Sequence, residues 1–320
     1  MSLAISIALA AAALAGPGAK PSQTYVEAAG PLGALKGTLL SPASPAGPVV
    51  LIIPGSGPTD RDGNNPSGVK AATYKLLAEG LAERGVATVR IDKRGMFASA
   101  GAVKDGNAVT IPDYAADVRS WIGSIRKSTR ASCVWLLGHS EGALVTLAAA
   151  EGTKDVCGLV LVSGPGRPMG EALREQLRAN PANAPILNQA EAAIAQLEAG
   201  KTVDTAGMHP GLMPLFAPPI QKFMMSLLSY DPAELLSSYE KPVLIVHAER
   251  DIQVSQEDAR RLKNANGKAR LVVIPDANHV LKTVSSEDRT ANIATYSDPA
   301  LPLAPGVVEA IAGFVTKGGS

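Results

Sequence analysis

The chain has 320 residues, of which 46% are hydrophobic and 18% are charged, and its formal net charge at pH 7 is +1. This composition can bury a large core, and the absence of basic or acidic runs argues against a nucleic-acid partner. Aromatic residues make up only 4% of the chain, which argues against a surface that stacks sugars or bases.

The first 19 residues differ in composition from the rest. Residues 3–14 form an apolar run broken only by Ser6, and an Ala-x-Ala-like sequence at residues 13–15 precedes a Gly-Pro-Gly turn. This pattern is typical of a secretory signal peptide and is too short to span a bilayer. We therefore expect residues 1–19 to be a signal peptide and the mature protein to be periplasmic or secreted, without a stable membrane span. The alternative is a disordered or helical N-terminal extension, because no Lys or Arg precedes the apolar run.

Apolar runs alternate with amphipathic segments along the first half of the chain, after a hairpin predicted over residues 24–40. The predicted strands lie at residues 49–53, 86–91, 134–137 and 158–163, and the predicted helices between them at residues 69–84, 111–127 and 143–150. Continuous apolar runs are typical of strands buried on both faces. Their alternation with helices predicts a parallel sheet covered by helices on both sides.

The alternation stops at residues 166–229, which contain two helical patterns and then a Pro- and Met-rich apolar stretch. We interpret this segment as a helical cap over the sheet edge, whose apolar stretch forms either the core of the cap or the wall of an acyl pocket. Strands are predicted again at residues 242–247 and 270–274, and helices at residues 256–264 and 307–316. The predicted division is core at residues 24–165, cap at residues 166–229 and core again at residues 230–317.

Residues 138–142, Gly-His-Ser-Glu-Gly, have the G-x-S-x-G form of a nucleophile elbow. In this motif Ser140 projects from a sharp strand-to-helix turn with a sparsely allowed backbone geometry. Gly138 and Gly142 allow the strand and the helix to pass close to each other without a Cβ clash. The apolar strand before the motif and the small-residue helix after it supply the context that the motif requires. Ser140 is therefore predicted to be a nucleophile rather than an ordinary turn serine.

Taken together, these features resemble the α/β-hydrolase superfamily over residues 24–317, and more narrowly the bacterial carboxylesterases of the serine-aminopeptidase-like branch. The segments that are similar to motifs of that group are residues 54–63, 92–95, 251–255 and 278–282. The resemblance implies an α/β-hydrolase fold, with a mostly parallel central sheet flanked by helices and a helical cap. It also implies a serine hydrolase that cleaves small-molecule carboxylic esters through an acyl-enzyme. The alternatives are a peptidase or amidase of the same fold and a noncatalytic binding protein on this scaffold.

The resemblance implies a catalytic triad in the chain order Ser, acid, His. Asp251 follows the strand that ends at His247, where the acid is expected, and its short side chain suits a turn better than that of nearby Glu249. His279 is the one histidine of four in a loop after the last predicted strand. In these roles His279 accepts the Ser140 proton and Asp251 orients the imidazole.

The expected oxyanion hole consists of two backbone N–H groups, those of Ser56, in the loop after the first central strand, and of Glu141, after the nucleophile. The charged residues at 60–62 and 92–94 are predicted to pair and so to make the oxyanion loop rigid. The sequence contains no metal-ligand or nucleotide-binding motif, so neither a metal nor a cofactor is predicted.

Cys133 and Cys157 are the two cysteines of the chain, and each stands just before a predicted strand. The two strands are expected to be parallel neighbours about 4.8 Å apart, which is compatible with the Cα separation of a disulfide. Export would supply an oxidising compartment. A disulfide is therefore predicted, and two buried free thiols are the alternative.

Overall fold

In the part of the chain that the structure describes, eight strands form one sheet. The structure is a computed structural model that describes residues 20–44 and 47–318, so the predicted signal peptide lies outside the described residues. The strands are β1 (Ser22–Ala29), β2 (Ala34–Ser41), β3 (Val49–Ile53), β4 (Ala87–Ile91), β5 (Val134–His139), β6 (Val156–Val162), β7 (Val243–Ala248) and β8 (Arg270–Ile274). Their order in the sheet is β1-β2-β4-β3-β5-β6-β7-β8. β2 pairs antiparallel with β1 and β4, and the remaining pairs are parallel, which confirms the predicted α/β-hydrolase fold.

Helices cover both faces of this sheet. They are α1 (Thr73–Glu83), α2 (Ile111–Thr129), α3 (Glu141–Ala150), α4 (Met169–Ala179), α5 (Leu187–Glu198), α6 (Met213–Phe216), α7 (Gln221–Leu228), α8 (Pro232–Ser237), α9 (Gln256–Ala265), α10 (Arg289–Ala294) and α11 (Val307–Thr316). Residues of α2, α3 and α9 belong to one buried apolar cluster, and residues of α1 and α11 belong to the other. In the described ranges, no helix combines the length and the apolar character needed to cross a membrane.

The apolar runs of the sequence form central strands because both faces of each strand are buried. All five residues of β3 are buried. Val49, Leu51 and Ile53 point into the cluster under α2 and α3, whereas Val50 and Ile52 point into the cluster under α1 and α11. Successive side chains of a strand alternate between its faces, so a strand covered on both sides needs an apolar residue at every position.

The segment between β6 and β7 is helical, and α4 to α7 lie within residues 166–229. The side chain of Phe216 in this segment is fully buried and belongs to the same apolar cluster as α2 and α3. Leu215 is partly buried against that cluster. The apolar stretch of the insertion therefore packs as core around these residues.

Two short helices outside the cap, α8 and α10, were not predicted. α10 has only six residues and lies in the long connection between β8 and α11. Its first turn is capped by Asp288, whose carboxylate accepts hydrogen bonds from the N–H groups of Thr290 and Ala291. A helix this short has too few positions to show a 3.6-residue apolar period.

Cys133 and Cys157 form a disulfide with a Cα–Cα distance of 5.2 Å. The predicted bond is confirmed, and the alternative of two free thiols is wrong. The expected position of Cys157 needs correction, because this residue lies within β6 and not before it. The pairing of β5 with β6 shifts between Val134 and Trp135, so that Cys157 is the extra residue of an irregularity in the ladder. Both cysteines lie at the amino ends of their strands, away from Ser140.

The disulfide generates a prediction about stability. The bond joins two residues that are 24 positions apart in the sequence. Closing a loop of this size in the unfolded chain corresponds to about 3 kcal/mol of stabilisation. We expect Cys133→Ala/Cys157→Ala, produced in an oxidising compartment, to lose about that much free energy of unfolding in urea. Reductant should move the wild-type midpoint toward that of the double variant and leave the double variant unchanged. A wild-type midpoint that does not respond to reductant would contradict the prediction.

Candidate active site

Ser140 occupies a strained turn between β5 and α3. Its φ is 55° and its ψ is −126°, a region that residues with a Cβ rarely occupy. The neighbouring glycines permit this turn, as predicted. A Cβ on Gly138 would lie 2.1 Å from the carbonyl oxygen of Gly142, and a Cβ on Gly142 would lie 2.3 Å from that of Ile53. The Ser140 N–H donates to the carbonyl of Val162 over 2.9 Å, which ties the turn to β6.

Asp251 and His279 meet at the carboxyl ends of β7 and β8. Asp251 Oδ2 lies 2.7 Å from His279 Nδ1, and Oδ1 accepts the N–H groups of Gln253 at 2.8 Å and Val254 at 3.0 Å. Burial disfavours the charged carboxylate, but His279 and these two N–H groups outweigh burial, so the pKa of Asp251 lies below its ordinary value. The other acid, Glu249, does not contact His279, and its Oε2 instead accepts the Asp276 N–H at 3.1 Å.

A cavity of about 150 Å³ lies beside Ser140 and His279, and both residues line it. Within the described chain, its wall comes from residues 55–74, from the elbow, and from the loops that follow β7 and β8. Residues 166–229 contribute nothing to it. The sequence did not reveal several polar residues of the wall, which are Thr59, Asn65, Thr73, Tyr74, Gln253 and Tyr296.

Gln253 and Tyr296 illustrate why these wall residues escaped prediction. Gln253 lies in residues 251–255, whose similarity to the family motif predicted the position of the Asp251 loop. That similarity did not predict that the Gln253 side chain lines the cavity. Tyr296 follows α10 in a connection with no sequence pattern. The Gln253 Nε2 donates to the Tyr296 hydroxyl over 3.1 Å, and the Lys70 N–H donates to the Tyr296 carbonyl over 2.7 Å. These bonds join the connection after β8 to the other sides of the cavity.

The two backbone groups expected to form an oxyanion hole belong to adjacent segments, the loop after β3 and the start of α3. The loop after β3 lies directly against the elbow, because a Cβ on Gly55 would come within 3.1 Å of the Ser140 Cβ. Ser56 follows in that loop and lines the cavity. Glu141 is the first residue of α3, where N–H groups have no partner within the helix. Among the described residues, no protein acceptor takes a hydrogen bond from the N–H of Ser56 or of Glu141.

The charged loops pair with each other in part. Asp92 accepts the backbone N–H of Arg61 at 3.0 Å and pairs with its guanidinium, which confirms the predicted link between the two loops. Arg94 departs from that expectation, because its guanidinium binds Asp117 and Asp113 of α2 instead. The loop after β3 is thus tied to the end of β4, and the end of β4 is tied to α2.

His139 connects the oxyanion loop to the backbone of His279. Its Nε2 lies 2.8 Å from the His279 carbonyl oxygen, which can only accept, so Nε2 carries the proton. Nδ1 then accepts the hydroxyl proton of Tyr74 at 2.9 Å, and the Tyr74 oxygen accepts the Gly55 N–H at 3.0 Å. Burial, together with the repulsion from a charged His279, lowers the pKa of His139 to about 3. His139 is therefore a neutral structural residue beside the nucleophile.

In the ranges that the structure describes, no group of three or more His, Cys, Asp or Glu side chains is arranged to hold a metal ion.

Comparisons with known proteins agree with this architecture. A model of the alpha/beta hydrolase family matches residues 49–293. The esterase EstD of Thermotoga maritima is 28% identical over 251 residues, which cover 77% of this chain but only 57% of that protein. The structure of a thermophilic esterase from Thermogutta terrifontis has a TM-score of 0.55 at 20% identity, covering 93% of this chain and 100% of that chain. Est1E from Butyrivibrio proteoclasticus has a TM-score of 0.55 at 18% identity, covering 92% of this chain and 98% of that chain.

The neutral state of His139 predicts a pH dependence of stability. Its pKa is about 3 in the folded protein and 6.5 in the unfolded reference, so between these values the unfolded state binds one more proton. Stability is therefore lost as the pH falls through this window, by about 1.4 kcal/mol per pH unit for this residue. We expect His139→Gln to flatten the slope of unfolding free energy between pH 6 and pH 4 by about that amount. The exposed His209 is the control, since His209→Gln should keep the wild-type slope, and a wild-type slope in His139→Gln would refute the assignment.

Proposed function

The chain belongs to the alpha/beta hydrolase family, and we propose that it is a carboxylic ester hydrolase that acts on small-molecule esters through an acyl-enzyme. One observation carries the proposal: the Asp251–His279 pair, held at 2.7 Å, stands at the same small cavity as the strained Ser140. The esterase relatives support the same chemistry. The position within the serine-aminopeptidase-like branch stays a prediction.

The proposed reaction begins with attack of Ser140 Oγ on the ester carbonyl. Because Asp251 holds the Nδ1 side of His279, the Nε2 side is left to accept the serine proton and then to protonate the leaving alcohol. The negative oxygen of the tetrahedral intermediate would be stabilised by the N–H groups of Ser56 and Glu141. Water then hydrolyses the acyl-enzyme with His279 as the base, which releases the acid and restores Ser140.

The cavity supports a small substrate. At about 150 Å³ it is well below the roughly 300–1,000 Å³ of pockets that hold drug-sized ligands. The side chains of Thr59, Asn65, Gln253 and Tyr296 make its wall partly polar. We therefore propose esters with short acyl groups, such as acetyl or butyryl, rather than long fatty chains. The same size disfavours the peptidase alternative, because a peptide would need room on both sides of the scissile bond.

We propose in addition that the mature protein is exported, as expected for a chain with the apolar run of residues 3–14. The disulfide between Cys133 and Cys157 supports this proposal, because such bonds persist mainly in oxidising compartments. We also propose residues 166–229 as a cap that packs on the core and does not line the acyl site. The buried position of Phe216 supports this division.

The function is tested with p-nitrophenyl esters of increasing acyl length, together with aminoacyl anilides. We expect the wild type to hydrolyse the acetate and butyrate faster than the dodecanoate and to leave the anilides intact. Ser140→Ala should lose at least about 10³-fold in kcat, since only the oxyanion donors and substrate binding then remain. Its thermal midpoint should stay close to that of the wild type.

Ser163 supplies a matched control for that experiment. It follows the neighbouring strand β6 directly, is buried and also has a positive φ, 44°, but it does not line the cavity. Ser163→Ala should therefore keep kcat within a few fold. Retained ester hydrolysis in Ser140→Ala would move the nucleophile elsewhere, and turnover of the anilides but not of the esters would favour the peptidase alternative.

A second test separates the two candidate acids. Asp251→Asn keeps the shape of the side chain but no longer stabilises a charged imidazole, so kcat should fall by about 10³–10⁴-fold. Glu249→Gln is the paired variant, and its amide oxygen can still accept the Asp276 N–H, so kcat should change by less than about threefold. Both are measured with p-nitrophenyl acetate. A larger loss in Glu249→Gln than in Asp251→Asn would reverse the assignment.

A further inference from the structure

A lysine is buried beneath the oxyanion loop. Lys93 follows β4, and only 5% of its surface is exposed. Its Nζ donates to the carbonyl oxygen of Gly55 over 2.6 Å, lies 3.6 Å from Glu141 Oε1, and stands 5.3 Å from the centroid of the Tyr114 ring. Burial lowers the pKa of Lys93, and the Glu141 carboxylate opposes that shift. Moving two charges out of water costs free energy. The stability of the fold therefore does not by itself explain why Lys93 and Glu141 are buried.

The carbonyl that Lys93 binds belongs to the peptide bond whose N–H is the first proposed oxyanion donor. The peptide between Gly55 and Ser56 is trans and planar, so its C=O and its N–H point in opposite directions. A cation on the carbonyl oxygen therefore fixes the direction of the Ser56 N–H. It also polarises the peptide, which strengthens that N–H as a donor. The preceding N–H, that of Gly55, is held by the Tyr74 hydroxyl at 3.0 Å.

The other end of the ion pair belongs to the residue that supplies the second proposed donor. Glu141 follows Ser140 directly, and its side chain is buried. Its Oε1 has no hydrogen-bond partner within the described protein, which leaves Lys93 as its charge partner. Lys93 thus joins the loop after β3, through its hydrogen bond to Gly55, to the start of α3, through its ion pair with Glu141. The two proposed donors come from these two places.

We infer that Lys93 is a positioning residue of the oxyanion hole, which orients and polarises the Gly55–Ser56 peptide while Glu141 holds it in place. The inference rests on the proposed function, since it assigns both residues a task in stabilising the oxyanion. Neither Lys93 nor Glu141 lines the cavity with its side chain. Their contribution is therefore expected in the transition state and not in the binding of the substrate.

The test uses Lys93→Met, Glu141→Gln and the double variant, with p-nitrophenyl acetate as the substrate. The double variant has no unpaired buried charge, so its thermal midpoint should lie closer to that of the wild type than the midpoint of Lys93→Met. We expect Lys93→Met and the double variant to lose about 10- to 100-fold in kcat, less than the roughly 10²–10³-fold cost of deleting a donor. KM should stay within about threefold. Inhibition by a trifluoromethyl ketone, whose serine adduct carries an oxyanion, should weaken in proportion to kcat.

Lys241 supplies a matched control, because its Nζ also binds backbone carbonyls, those of Thr153, Lys154 and Val156, at the opposite end of the sheet. Lys241→Met should lower the thermal midpoint and leave kcat unchanged. Wild-type kcat in a folded double variant would overturn the inference, because a purely structural ion pair predicts that result. A loss confined to KM, or unchanged inhibition by the ketone, would also overturn it. Failure of the proposed function would look different, because the wild type itself would then hydrolyse no ester.

Discussion

The carboxyl end of the sheet depends on one close backbone approach, that of α3 to the end of β3. A Cβ on Gly142 would collide with the carbonyl oxygens of Ile53 and Pro54, at 2.3 and 2.6 Å. This contact brings the first turn of the helix and the loop that follows β3 together beside Ser140. Ser140 lies between them at a positive φ, so the strain of its turn, about 1–3 kcal/mol, is the cost of aiming its side chain there.

Several buried ionisable groups of this end are tolerated because they have specific partners. Asp251 is matched by His279, His139 by Tyr74, and the buried carboxylate of Glu141 by a lysine. Such pairs add little net stability but fix geometry. Stability comes from elsewhere, namely from two apolar clusters, one on each face of the sheet, and from a disulfide at the amino ends of β5 and β6. The molecule therefore separates the elements that hold the fold from those that shape the site.

The sequence predicted the features that depend on local pattern. Continuous apolar runs marked the central strands because those strands are buried on both faces, and the glycine spacing marked the elbow because two backbones must touch there. The loops of Asp251 and His279 were placed by the chain order of the family. Other features depend on contacts between distant segments and leave no local pattern. Tyr296 lines the cavity from the irregular connection that follows α10. Cys157 lies at the place where the pairing of β5 with β6 shifts.

The proposed function requires that Ser140 becomes acylated during turnover. It is tested by mixing the wild type with excess p-nitrophenyl acetate, quenching in acid within the first turnovers, and locating any added acetyl group by mass spectrometry of peptides. We expect one acetyl group on the peptide that contains residues 138–142, on Ser140 itself, and none on that peptide in Ser140→Ala. An acetyl group that maps reproducibly to another residue whose replacement abolishes turnover would contradict it.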